Sequence, residues 1–308
     1  MPIKKFKPIK ITDHFYQLGT PFFPAYLSLG DDAMIIEGGT GATAGIIQEN
    51  LQELEIPPER VKYIVLTHTH GDHIGAVPHL RRKWKHVKLI GSSTASKTLG
   101  YYKVIEEFIK LDDFIAKRMK LLKEIADLPP KLHQYNFKID KTVEDGSVID
   151  LGAGVYWTVH FTPGHSTCQI ALFEPKESIL VTGDACGLYE PAIDAFWPNY
   201  FISLEQYCNS IRKLASFQAK RLALSHNGVI SKDTHEFLKH ALKATEDYHL
   251  EMLERVNYGD EPREVAVEKA QWIESFVVHM PYRLMEMSTQ LLINRSQKDS
   301  EKTDIFSI

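Results

Sequence analysis

The sequence Thr67-His68-Thr69-His70-Gly71-Asp72-His73 places three imidazoles and one carboxylate within six consecutive residues, 68–73. The apolar and β-branched run Val61-Lys62-Tyr63-Ile64-Val65-Leu66 precedes it and predicts a buried strand. Because side chains alternate along an extended chain, His68 and His70 project to the same side. The candidate ligands therefore lie at the end of a strand, where a rigid element can aim them at one point.

Gly71 allows the chain to turn after the first two histidines, so that Asp72 and His73 can face a second position. Neutral imidazole and carboxylate both bind first-row metals, and a catalytic zinc needs three or four protein ligands with one position open. The alternative is a polar loop of surface histidines, which is the ordinary interpretation of any single histidine. The whole set predicts a metal site instead.

Three further candidate ligands each follow a strand-like segment. His165 lies beyond residues 154–159, Asp184 ends the run 179–184, and His226 ends the run 221–226. Any one of them alone would more often be a capping or core polar residue. Together with the first motif they predict that four strand ends deliver seven ligands, which are His68, His70, Asp72, His73, His165, Asp184 and His226.

These motifs and their order resemble those of the metallo-β-lactamase superfamily over roughly residues 10–230. The resemblance implies an α/β fold, the αβ/βα four-layer sandwich, in which two sheets pack face to face with helices outside and metals at one edge. It also implies that no ligand is missing. The ligand sets that it implies are His68, His70 and His165 for a first metal, Asp72, His73 and His226 for a second, and Asp184 as the bridging carboxylate.

Details of the motifs refine this resemblance. His70 stands where the flavin-linked di-iron reductases of the superfamily carry Glu, and His73 stands where some antibiotic-hydrolysing members carry Arg. The chain therefore resembles the hydrolase type. Glu37 occupies a position where the family most often has Asp, and we expect it to orient a ligand histidine from behind. Cys168-Gln169 is a second departure, since many glyoxalase II-like members have Gly-His there.

Composition limits the class of protein. The chain has 308 residues, 44% hydrophobic and 25% charged, which is typical of a globular protein of one or two domains. A net charge of −4 with no basic stripe argues against nucleic acid or a membrane surface as the main partner. Neither a secretion signal nor a run of eighteen apolar residues is evident, so we expect a cytoplasmic protein. The cysteines near the site, Cys168 and Cys186, are interpreted as buried small residues.

Two helical segments exceed a minimal version of this fold. One is an insertion at about residues 95–128, which stops at Pro129-Pro130. The other is a C-terminal extension, residues 231–308, predicted to form helices at 233–256, 262–279 and 282–293. The sequence predicts a capping box at Asp233 and Glu236. We expect residues 1–230 to form the metallo-β-lactamase-like domain and residues 248–280 to help close its metal edge.

The layout of insertion and C-terminal helices resembles, more weakly, the branch of the superfamily that holds quinolone-signal response proteins and glyoxalase II-like thioesterases. We expect two divalent metal ions, most readily zinc, with iron or manganese as alternatives. Such a pair acidifies a shared water, and the resulting hydroxide would attack an ester, thioester or lactone carbonyl of a small molecule. Asp72 is the candidate catalytic group, placed to handle the proton that passes to the leaving group.

Several interpretations stay open at this level. The same site could hydrolyse a phosphodiester, and a regulatory protein could retain the metals only for folding. Tyr189 and Tyr200 follow Asp184 in the sequence and are candidate hydrogen-bond donors to a substrate. The apolar faces of the added helices must cover the sandwich, one another or a second subunit, so a homodimer is possible.

Overall fold

The computed structural model of the chain describes residues 2–302 and 304–308. Within these residues fifteen β-strands form two large sheets and a separate hairpin. The strands in chain order are β1 (Ile9–Lys10), β2 (Phe15–Gly19), β3 (Pro24–Leu29), β4 (Ala33–Ile36), β5 (Val61–Val65), β6 (Lys88–Ser92), β7 (Lys141–Val143), β8 (Val148–Asp150), β9 (Tyr156–Phe161), β10 (Ile170–Glu174), β11 (Ile179–Gly183), β12 (Leu188–Glu190), β13 (Ala195–Trp197), β14 (Arg221–Leu224) and β15 (Val229–Ile230).

Nine α-helices lie in the same described residues, together with one 3₁₀ turn at Pro58–Arg60. No helix among the described residues has both the length and the mean hydropathy of a membrane-spanning segment. The helices are α1 (Thr43–Glu53), α2 (Gly71–Ile74), α3 (Ala76–Lys83), α4 (Ser93–Thr98), α5 (Tyr102–Leu121), α6 (Leu204–Ser216), α7 (Thr234–Asn257), α8 (Pro262–Glu274) and α9 (Tyr282–Lys298).

The order of strands brings several carboxyl ends to one edge. The first sheet runs β1-β2-β3-β4-β5-β6-β7 and is parallel from β4 onward. The second sheet runs β15-β14-β11-β10-β9-β8, and its one parallel pair is β11 with β14. Parallel neighbours need a crossover, which α1 supplies between β4 and β5 and α6 supplies before β14. The residues that follow β4, β5, β11 and β14 therefore meet at one edge.

Alternation along the strands builds four layers. In β4 the side chains of Met34 and Ile36 enter the core between the two sheets, whereas Ile35 packs toward α1 and α3. In β11 Val181 enters the same central core, whereas Leu180 packs with the helices on the outer face of the second sheet. The αβ/βα sandwich predicted from the sequence is therefore confirmed.

The added helices differ from the predicted ones in their bounds. The insertion is two helices, α4 and α5, separated near Gly100, and α5 ends at Leu121 rather than near residue 128. Helix α8 ends at Glu274, before the predicted residue 279, whereas α9 continues to Lys298. These ends depend on tertiary packing, which apolar spacing alone does not encode.

The capping box predicted at the start of α7 is wrong. Asp233 has a left-handed backbone with φ of 47° and makes no side-chain hydrogen bond to the first turn. A capping side chain needs an extended backbone at this position to reach the amide groups of the first turn. The helix begins where predicted, at Thr234, without that cap.

Trp157 anchors the core between the two sheets. It lies on β9, is fully buried, and its indole Nε1–H donates to Ser28 Oγ on β3 at 2.9 Å. Its ring also packs against Phe15, with the ring centroids 5.4 Å apart. One side chain therefore joins both sheets through apolar contact and through a satisfied hydrogen bond.

We expect Trp157→Ala to lower the free energy of unfolding by about 3–5 kcal/mol, because it leaves a cavity between the sheets. The control is Tyr156→Ala, which removes a side chain that is 40% exposed on the same strand and should change stability by less than about 1 kcal/mol. Urea denaturation followed by circular dichroism measures both. Equal effects of the two substitutions would contradict the central role of Trp157.

Candidate metal centre

Four strand ends bring the predicted ligands together at one edge of the sandwich. His68 follows β5, Asp184 follows β11 and His226 follows β14, while His165 lies in the connection between β9 and β10. Helix α2 begins at Gly71 and carries the remaining carboxylate and imidazole of the first motif. Six of the seven candidates are buried and His70 is partly exposed. The site is therefore largely shielded from solvent and is most accessible near His70.

The first set of candidate ligands has a spacing that fits a single ion. His70 Nδ1 lies 3.2 Å from His68 Nε2 and 2.9 Å from His165 Nε2. Tetrahedral zinc with bonds of 2.0–2.1 Å would separate its ligand atoms by about 3.3 Å. The three nitrogens can therefore surround one cation.

The second set lies beside the first, with Asp184 between them. Asp72 Oδ2 lies 3.2 Å from His73 Nε2 and 3.6 Å from His226 Nε2. Asp184 Oδ2 lies 3.6 Å from His73 Nε2 and 3.5 Å from His165 Nε2. One carboxylate oxygen thus lies close to imidazole nitrogens of both sets.

The electrostatics of the site fit a bound cation. Asp184 Oδ1 is buried without a hydrogen-bond partner among the described residues, so it accepts no proton from the protein. Burial lowers the pKa of His68, and it lowers that of His165 to about 3, which keeps these imidazoles in the neutral form that binds metals. Burial raises the pKa of Asp72, but His73 and His226 outweigh it and hold that pKa at about 2. Buried ionised carboxylates need a positive charge beside them.

Backbone carbonyls fix the orientation of two imidazoles. His165 Nδ1 lies 3.1 Å from the carbonyl oxygen of Asn199, and His226 Nδ1 lies 2.7 Å from that of Phe22. A carbonyl oxygen only accepts, so each Nδ1 carries the proton and donates it. Each Nε2 therefore keeps its lone pair for a metal.

Glu37 contacts a candidate ligand histidine, as the sequence predicts, and it also contacts two hydroxyl groups that the sequence analysis does not include. Its Oε2 accepts from His73 Nδ1 at 3.1 Å, and its Oε1 accepts from the hydroxyls of Thr67 and Ser225, both at 2.6 Å. Because the Thr67 hydroxyl gives its single proton to Glu37, it accepts from His68 Nδ1 at 3.1 Å. One carboxylate thus orients one imidazole directly and a second one through Thr67.

A glycine permits the close approach that positions His165. Gly164 has φ of 126°, and a Cβ atom there would lie 2.3 Å from the backbone nitrogen of Tyr207 on α6. No residue with a side chain fits this position without moving the helix. The preceding Pro163 and this glycine therefore set the turn that delivers His165 to the edge.

Comparison with known proteins agrees with this geometry. The model of the Metallo-beta-lactamase superfamily matches residues 25–226. The chain belongs to the metallo-β-lactamase superfamily. It is 28% identical over 225 residues to a probable metallo-hydrolase of Bacillus subtilis, a match that covers 68% of this chain and 81% of that protein. A shorter match, 26% identical over 157 residues, is to an atrochrysone carboxyl ACP thioesterase of Pseudocercospora fijiensis, and it covers 50% of this chain and 34% of that protein.

Among solved structures, the chain is similar to a metallo-β-lactamase family protein of Thermus thermophilus. That similarity has a TM-score of 0.67 at 19% identity and covers 94% of this chain and 95% of the other. At this identity the comparison establishes the fold alone. It nevertheless extends over the added helices as well as the sandwich.

A cavity of about 830 Å³ opens beside the candidate ligands. His70, Asp72, His165, Asp184 and His226 lie in its wall at one end. Most of the remaining wall is apolar and comes from α5, from the loop after β13, and from the α8–α9 connection with α9. These apolar residues include Phe108, Leu111, Phe114, Phe201, Ile202, Val277, Met280, Leu284 and Leu291.

The structure corrects the prediction that two tyrosines contact the substrate. Tyr200 is fully buried and its hydroxyl bonds to Ser296 Oγ at 2.8 Å, so it does not reach the cavity. The hydroxyl of Tyr189 donates to Asp194 Oδ1 at 2.8 Å, and this residue is also outside the cavity wall. Closeness to Asp184 in sequence did not predict the direction of either side chain.

The helical wall also differs in part from the expectation for residues 248–280. Tyr248 packs in the core of the added helices, whereas the wall begins at Val277 and continues along α9. The sequence reasoning missed α9 as a wall element, and it missed Thr67 and Ser225 as partners of Glu37. The sequence does contain a signal that could have predicted both hydroxyls as partners. Thr67 and Ser225 each directly precede a candidate ligand histidine at a strand end.

We expect Glu37→Gln to weaken zinc binding about ten- to hundredfold, because an amide nitrogen cannot accept the hydrogen bonds that orient the imidazoles. Competition with a coloured chelator measures the affinity. Glu53→Gln, which changes an exposed carboxylate on α1, is the control and should leave the affinity unchanged. Wild-type affinity in Glu37→Gln would show that the ligands are oriented without this carboxylate.

Proposed function

We propose that the chain is a metal-dependent hydrolase that holds two divalent cations, zinc most readily, and cleaves an ester or thioester bond of a bulky apolar small molecule. The observation that carries the proposal is the apolar cavity that leads to seven clustered candidate ligands. Membership of the superfamily and a relative named as a probable metallo-hydrolase support the hydrolase class.

Each residue of the centre has a part in this proposal. When bound, divalent cations supply Lewis acidity, which acidifies water and polarises a carbonyl oxygen. The first set, with His68, His70 and His165, and the second set would each hold one ion. Asp184, whose Oδ2 lies within 4.0 Å of imidazole nitrogens of both sets, would hold both.

Asp72 is the candidate for proton transfer to the leaving group. It belongs to the cavity wall, and its Oδ2 lies within 3.6 Å of two imidazole nitrogens. A carboxylate in the cavity wall beside the cluster could accept a proton and pass it to the leaving group.

The wall of the cavity supports an ester or thioester over a phosphodiester. A nucleic acid or a nucleotide would require several cationic side chains along the channel. Only two Lys or Arg side chains, Lys110 and Arg295, belong to the described cavity wall. The apolar residues favour an acyl or aromatic group instead, and the short match to a thioesterase supports the same bond class.

The first test is metal content. Protein purified without added metal should contain close to two metal ions per chain by elemental analysis. Asp184→Asn should weaken both sites because its carboxylate contacts both sets, whereas His226→Ala should mainly empty the second. His86→Ala, which changes a histidine hydrogen-bonded to backbone carbonyls far from the site, is the control. A content near one or zero in gently purified wild type would argue against two cations.

The second test is hydrolysis of a panel of esters, thioesters, lactones and phosphodiesters. For esters of increasing acyl length, kcat/KM should rise about three- to fourfold for each CH₂ until the cavity is filled, since each buried CH₂ contributes about 0.8 kcal/mol. Asp72→Asn should lower kcat strongly and leave the melting temperature nearly unchanged. If no member of the panel is hydrolysed, and if Asp72→Asn does not change the effect of the protein in cells, the result supports the regulatory alternative.

A further inference from the structure

An arginine in the cavity wall has unused hydrogen-bond donors. Arg295 on α9 is half-buried, and its Nε–H donates to the carbonyl oxygen of Phe201 at 2.9 Å. A guanidinium carries five N–H donors. Within residues 2–302 and 304–308 the two terminal amino groups of Arg295 make no hydrogen bond and no ion pair. Four of its donors are therefore not used by the protein.

No ion pair within the described residues neutralises the charge of Arg295. The second cation of the wall, Lys110, is paired with Glu107 on α5, with Nζ 2.7 Å from Oε1. Most of the remaining wall is apolar. A half-buried guanidinium among apolar side chains is stabilised by an anion that accepts its parallel N–H bonds. Arg295 therefore has the properties of an anion-binding group.

The hydrogen bond to Phe201 joins Arg295 to a residue that packs against the first set of candidate ligands. The ring of Phe201 packs against those of His165 and His70, with centroids 5.2 Å and 6.4 Å apart. Because Arg295 Nε–H donates to the carbonyl oxygen of Phe201, the guanidinium lies next to Phe201. An anion at Arg295 would thus lie in the same cavity as the candidate ligands.

The face of α9 that lines the cavity leads from apolar residues to this charge. Leu284, Ser288, Leu291 and Arg295 all belong to the wall and follow helical spacing. At 1.5 Å per residue, the distance along the helix from Leu284 to Arg295 is about 16 Å. This face matches a ligand with an extended apolar part and an anionic group at one end.

We propose that Arg295 binds an anionic group of the substrate, so that the hydrolysed ester or thioester carries both a bulky apolar part and a fixed negative charge. The proposal rests on the proposed hydrolase function and names its substrate class. A carboxylate on the acyl part and a phosphate on the alcohol or thiol part present the same chemistry, since each accepts two parallel N–H bonds from one guanidinium.

Two matched substrate pairs separate these sources. Mono-4-nitrophenyl sebacate and 4-nitrophenyl decanoate differ in a carboxylate on the acyl part. S-decanoyl phosphopantetheine and S-decanoyl pantetheine differ in a phosphate on the thiol part. With metal-loaded full-length protein, Arg295→Gln should lower kcat/KM for the charged member of at least one pair about ten- to hundredfold. It should change the rate for the neutral members less than about twofold.

Controls distinguish charge recognition from damage to α9. Arg295→Lys keeps the charge without the planar fork and should retain an intermediate preference for the anion. Arg283→Gln removes the same charge from an exposed position of α9 outside the cavity wall and should leave both substrate pairs unchanged. Melting temperature and metal content are measured for every variant. Equal losses on charged and neutral substrates, or no loss on either charged one, would overturn the proposal.

A binding experiment separates this inference from the hydrolase function. Calorimetry would compare octanoate, octyl phosphate and octanol on wild type and on Arg295→Gln. If wild type hydrolyses no substrate but the variant binds one of the anions about tenfold more weakly, the anion site stands and the hydrolase proposal fails. If hydrolysis occurs and neither rate nor anion binding depends on Arg295, the anion site fails and the hydrolase proposal stands.

Discussion

The hydrogen bonds of the buried Glu37 carboxylate are the constraint on which the centre depends. This residue follows β4 and accepts protons from Thr67 after β5, from Ser225 after β14, and from His73 on α2. It therefore joins the edges of both sheets at the point where the ligands converge. Its backbone is left-handed, with φ of 75°, a conformation that costs about 1–3 kcal/mol for a residue with a side chain. Three hydrogen bonds to one carboxylate offset that cost.

The fold and the candidate ligands could be predicted because their signals are local. The spacing of His68, His70, Asp72 and His73 is set by one strand end and one turn, and a short strand precedes each of the other ligands. The bounds of α5 and α8 could not be predicted as well, because a helix end depends on what packs against the last turn. Apolar spacing shows which face of a helix is buried, but not where its neighbour stops.

The residues that line the cavity could not be predicted from the sequence around the candidate ligands, for a different reason. Arg295 and Leu284 line the same cavity as the candidate ligands only because α9 packs at this edge, far along the chain from the last candidate ligand, His226. Nothing in the residues around them differs from an ordinary surface helix. Tyr189 and Tyr200 show the converse error, since they are close to Asp184 in sequence but hydrogen-bond elsewhere. Side-chain direction after a strand end is set by tertiary contacts rather than by distance along the chain.

The order of these elements along the chain has a consequence for how the protein is made. The histidines of the first motif leave the ribosome early, whereas the candidate ligand His226 and the wall on α9 come much later. A growing chain therefore offers only part of the candidate ligand set until both sheets are complete. For a further interval, the apolar wall that α5 contributes to the cavity lacks the opposite wall from α9. Synthesis of α9 completes the wall and shortens the period in which apolar residues of the nascent protein are open to chaperones and to other chains.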